Sequence, residues 1–133
     1  MFICRVFLFL FLLCSLLSCS SKINNKLIFS LTNYRADIIS KYLPYKVGSV
    51  TLLSVTAVND RVNIYVMVSK YINIKRLLYN VTVRFCENIE TRGLLNRGVS
   101  YRIVILNTKK TKELEHVITL NLCAKNSDFN EPT

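Results

Sequence analysis

Apolar and polar positions along this chain fall into blocks of different period. From Val6 to Leu17 the chain is apolar apart from Ser15, with Arg5 before it and Ser18, Cys19, Ser20 and Ser21 after it. About 12 residues are too few for a bilayer span, which needs roughly 20. A basic start, a short apolar run and a small-residue exit together form a secretory signal peptide. The stretch 19–25, "CSSKINN", is polar and small and predicts a tether. Leu27, Leu31, Tyr34, Ile38 and Tyr42 then recur at helical spacing. They predict a helix over 26–42 with that stripe as its core face, stopped by Pro44.

Residues 48–58 and 62–69 are rich in β-branched side chains and carry apolar residues in both registers, with Asn59-Asp60 between them. The pattern predicts a hairpin of two well-covered strands. Helical spacing returns with Ile74, Leu77, Leu78, Val81 and Phe85 on one face and Cys86 at its end, and a short helix over 89–95 follows, closed by Gly98. Val81, Thr82 and Val83 lower helix propensity there, so packing must hold the segment. Tyr101, Ile103 and Ile105 alternate before the polar turn "NTKKTK", and Leu114, His116, Ile118, Leu120 and Leu122 share one face of a return strand ending at Cys123. The tail, 126–133, has no apolar period. Helix, hairpin, helix, hairpin predicts an α+β domain over 26–125, a four- or five-stranded antiparallel sheet with helices packed on one face.

The exit of the signal is specific. Leu16-Leu17-Ser18-Cys19 resembles the lipobox of bacterial lipoproteins, although Leu17 stands where a smaller residue is usual. The resemblance implies cleavage between Ser18 and Cys19, so that 1–18 is a lipoprotein signal peptide, and lipid attachment to the Cys19 thiol. Several acyl chains on one cysteine give durable anchoring where one chain gives only marginal binding. Ser20 occupies the position where Asp would favour inner-membrane retention, which implies the outer membrane, periplasmic face.

That address changes how the five cysteines are read. Cys4 and Cys14 leave with the signal and Cys19 carries lipid. Cys86 and Cys123 remain, and an even pair in an exported chain reads as a disulfide. Its loop of about 38 residues corresponds to roughly 4 kcal/mol in the chain-entropy model. No second Cys or His stands at metal-ligand spacing. Cleavage leaves roughly 115 residues, enough for one compact domain.

The formal net charge of +10 fits nucleic acid, anionic lipid or an acidic partner. Export argues against nucleic acid, and the basic residues are spread along the chain. A solvated cationic surface and attraction to anionic headgroups both stay open. Asn80-Val81-Thr82 matches a glycosylation acceptor, accidental in a bacterial lipoprotein. Catalysis needs a nucleophile with its base, paired carboxylates or a metal. The single His116 alternates with Leu and Ile on a strand, the acids are scattered, and no phosphate loop occurs. The expectation is a binding protein without cofactor, metal or small-molecule substrate.

Three stretches carry a closer resemblance: "ISKYLPYKVGSVTLL", "FCENIETRGLLNRGVSYRIVILNTK" and "ITLNLC". With the lipobox and the two-cysteine spacing, they make the chain resemble the β class of type II secretion pilotins, small outer-membrane lipoproteins. The resemblance implies binding to the C-terminal segment of a secretin subunit and its delivery to the outer membrane for assembly. Such a partner needs a groove with apolar surface. Tyr34, Tyr42, Tyr71 and Tyr79 are candidate rim residues, because tyrosine is enriched at interfaces. The competing class is a periplasmic lipoprotein inhibitor or envelope-integrity binding protein.

Overall fold

The computed structural model of the chain describes residues 3, 20–69 and 71–126. Nine elements follow in order: α1 (Ser20–Ser40), β1 (Tyr45–Val47), β2 (Val50–Val58), β3 (Arg61–Val68), α2 (Ile74–Glu87), α3 (Ile89–Asn96), β4 (Ser100–Leu106), β5 (Lys112–Ile118) and α4 (Leu120–Asn126). The strands form one sheet in the order β1-β2-β3-β4-β5. It is antiparallel except at its centre, where β3 and β4 run parallel. A parallel pair needs a long crossover, and α2 with α3 supplies it. The α+β expectation is met, with the two predicted hairpins joined through this parallel pair and β1 as the fifth strand.

One face of the sheet is the core. Ile64, Val66, Tyr101, Ile103, Ile105 and Ile118 are buried there against α1 and α2. Tyr101 meets Phe85 of α2 edge-on, with ring centroids 5.0 Å apart, an arrangement that adds to simple area burial.

The first helix departs from the predicted stripe. Leu27, Tyr34 and Tyr42 are exposed, and Leu31 and Ile38 only half-buried. The face that reaches the sheet carries Ile28, Thr32, Ala36, Ile39 and Leu43. Small side chains at its centre let the helix approach β2 closely. Its hydroxyls find partners within the helix: Thr32 donates to the Ile28 carbonyl at 2.8 Å and Ser40 to the Ala36 carbonyl at 2.7 Å. Gly98, at φ +101°, fits beneath this face, since a Cβ there would meet Ile28 at 3.3 Å. The helix also begins at Ser20, within the stretch read as a tether.

At the other end, Leu120, Leu122 and Cys123 form the helix α4 instead of extending the return strand, which stops at Ile118. Thr119 accepts from the Leu122 N–H through its hydroxyl and from the Cys123 N–H through its carbonyl. A cap of this kind starts a helix.

Candidate functional site

The helix α2 lies over the core face of the sheet, held by local chemistry at both ends. The Asn73 side chain accepts from the Arg76 N–H at 3.1 Å, a side-chain N-cap. At the far end Asn88 serves twice, donating its N–H to the Arg84 carbonyl and accepting from the Thr91 N–H to start α3. Two further contacts pin this C-terminal half. Cys86 is bonded to Cys123 of α4, with Cα atoms 5.4 Å apart. Thr82, whose hydroxyl already donates to the Leu78 carbonyl, accepts from His116 Nε2 at 3.0 Å. Burial lowers the His116 pKa and favours the neutral imidazole, with its proton on Nε2.

Between α2 and the sheet lies a cavity of about 180 Å³, lined by Leu77, Leu78, Val81 and Phe85 from the helix and by Val50, Leu52, Ile64, Val66, Ile103 and Ile105 from the strands. Every lining side chain is apolar. Protein interiors rarely keep voids larger than a water molecule, and an apolar cavity stays dry. The members on β3 and β4 are buried, whereas Val50, Leu52, Leu77 and Val81 are half-buried. The slot therefore opens on the β1–β2 side.

Its lip continues onto β1. Tyr45 pairs with Leu52 and Val47 with Val50, so their side chains share the slot's face of the sheet. They are 56% and 54% exposed. Apolar surface thus runs from a half-open slot onto an uncovered strand. Among the described residues no group of three or more His, Cys, Asp or Glu could hold a metal ion. The arrangement can take up apolar side chains presented by another chain.

The profile of the family described as the type II secretion system (T2SS) pilotin, S protein, matches residues 24–123. The chain belongs to this family. The pilotin EpsS of the Vibrio vulnificus type 2 secretion system is similar in structure, with a TM-score of 0.73 at 21% identity over 77% of this chain and 96% of that one. The type II secretion pilotin AspS of Vibrio cholerae gives a TM-score of 0.70 at 24% identity, over 77% and 97%. Both likenesses are of fold. No curated protein matches the chain.

Within this pilotin fold the expected site residues separate. Cys86 and Cys123 form the disulfide. Ser18 and Cys19 lie outside the described residues, and among those no helix is long and apolar enough to cross a membrane. Of the four tyrosines, none lines the slot. Tyr34 faces a second concavity between α1 and α3, Tyr42 and Tyr71 are exposed, and Tyr79 is half-buried on α2. The sequence did mark Leu77, Val81 and Phe85 as one helical face. The lip was missed because a three-residue strand offers no alternation to read.

Proposed function

We propose that this pilotin binds the C-terminal segment of a type II secretion secretin subunit in the slot under α2, and carries that subunit to the outer membrane on a lipid attached to Cys19. The slot is the observation that supports this reading: an empty, wholly apolar volume continuous with exposed Tyr45 and Val47. An amphipathic segment laid against β1 could seat its apolar side chains there, the helix-in-groove mode of recognition. The role is binding and escort, with no chemical step.

Fractionation of envelopes tests it. In cells lacking the chain, secretin multimers should collect in the inner membrane, and the intact gene should return them to the outer membrane. Cys19→Ser should give a folded domain that still binds the secretin segment but does not restore delivery. Secretin that reaches the outer membrane without the chain would overturn the reading.

A further inference from the structure

The apolar stripe of α1 that the sequence marks as a core face is left largely uncovered. Leu27, Leu31, Tyr34 and Ile38 follow one another at spacings of four, three and four, so they share one side of the helix. Leu27 and Tyr34 are exposed, Tyr34 by 66%, and Leu31 and Ile38 are half-buried. Beside them stands Ile89 of α3, 89% exposed. Leu31, Tyr34, Ile38, Ile89 and Leu94 wall one open hollow of about 440 Å³ between the two helices. Single exposed apolar side chains are ordinary, but a contiguous patch marks a surface that binds something.

Position and charge say what covers it. α1 begins at Ser20, the residue after Cys19, so the helix carrying the stripe is joined directly to the residue proposed to hold the lipid. At 1.5 Å per residue, Leu27 lies roughly 10 Å along the helix from its start. An interfacial helix buries its apolar face about 5–10 Å into the headgroup boundary. Standing upright from the anchor, α1 would hold the stripe in water; lying along the surface, it buries the stripe. The acids beside the stripe are offset, since Glu90 is paired with Arg35 and Asp37 with Lys41. Arg97 on the rim adds a positive charge, and the chain carries a formal +10. Anionic headgroups attract cations held close to the surface. Tyrosine, with an apolar ring and a polar tip, is enriched at the membrane–water boundary.

We infer that the α1 stripe, with Ile89 and Leu94 beside it, lies on the lipid surface in which Cys19 is anchored. Its occupant is the headgroup and upper acyl region of an anionic bilayer. The inference rests on the lipid-anchor reading above. It adds that the anchored domain is held in one orientation instead of swinging on a tether. The membrane contact is on α1 and α3, and the slot proposed for the secretin is under α2 and beside β1.

The sequence contains no Trp, so a single introduced indole reports its own surroundings. The test places Tyr34→Trp, or Tyr71→Trp on the exposed loop before α2, in the lipidated chain. Each is reconstituted into vesicles of phosphatidylethanolamine and phosphatidylglycerol. Emission from the Tyr34→Trp chain should shift to shorter wavelength. Lipid brominated along its acyl chains should quench it severalfold more than the Tyr71→Trp chain. Adding Leu27→Glu should return the Tyr34→Trp emission toward its value in water, while the chain still floats with the vesicles. Floating chains in which Tyr34→Trp is unquenched, or quenched no more than Tyr71→Trp, would overturn the membrane face and leave the anchor and docking readings intact. A blue shift that appears only when the C-terminal peptide of the cognate secretin is added would assign the stripe to the partner, with the same consequence. If the chain does not float with the vesicles, the anchor reading falls and the inference with it.

Discussion

Thr32 and Ala36 show what a single small side chain does in this molecule. Both are buried where α1 crosses β2, and neither is large enough to draw attention in a hydropathy pattern. The larger apolar residues on the same helix, Leu27 and Tyr34, flank the contact and stay exposed. Substitutions should rank in the opposite order to hydrophobicity. Ala36→Leu forces extra methylene groups into a close helix–sheet contact and should cost about 1–3 kcal/mol. Tyr34→Ala, at an exposed position, should stay within about 0.5 kcal/mol. Chemical denaturation of the two variants checks this directly, and equal losses would contradict the assigned packing face. The helix was legible in the sequence but its buried face was not. A periodic search weights size, whereas close packing selects for smallness.

Among the elements, β2 is the least readable for a specific reason. Its core-facing residues are Val50, Leu52, Val55 and Ala57, a set that changes parity at the bulge between Leu52 and Ser54. A bulge adds one residue to one strand, so strict alternation fails and apolar residues appear in both registers. The first hairpin was legible from the β-branched runs on either side of Asn59-Asp60, and α2 and α3 from helical periods that run uninterrupted. The junction between hairpins was not, since strand pairing is set by the path of the crossover helices. Nor was α4, where Leu120 and Leu122 fit either period. The two pins on the C-terminal half of α2 give element-scale predictions. The disulfide spans 37 residues, so Cys86→Ser and Cys123→Ser should each lose roughly 4 kcal/mol. Denaturant melts that differ greatly between the two would show one cysteine acting outside the bond. His116 has its pKa lowered by burial, so its contribution runs with the neutral form. That contribution is complete above the unfolded value of about 6.5, and it is lost as pH falls below that value through the lower folded one. Stability measured between pH 7 and pH 5 should fall in the wild type and flatten in His116→Gln, whose side chain can still donate to Thr82. Parallel slopes in the two proteins would place the pH sensitivity elsewhere.

For the molecule as a whole, the sheet's core face divides into a covered part and a part left half-open. α1 and α2 cover β2 to β4, while the slot and β1 keep apolar surface half-open to solvent. A protein selected only for stability would fill such a space, because each buried methylene adds about 0.8 kcal/mol. Val81, half-buried at the mouth on α2, allows the two demands to be separated. Val81→Phe places a larger apolar side chain into the empty volume without adding a polar atom. Cavity filling of this kind commonly stabilises by about 0.5–2 kcal/mol, so the thermal midpoint should hold or rise. Under the proposed function, delivery of the secretin to the outer membrane should nevertheless fail, because the side chain would occupy the slot proposed for the partner. Tyr71→Ala, on the exposed loop before α2, should change neither property. A Val81→Phe chain that folds well and still delivers the secretin would show that the slot is a packing defect. Loss of delivery with gained stability would show that the defect is retained for the partner.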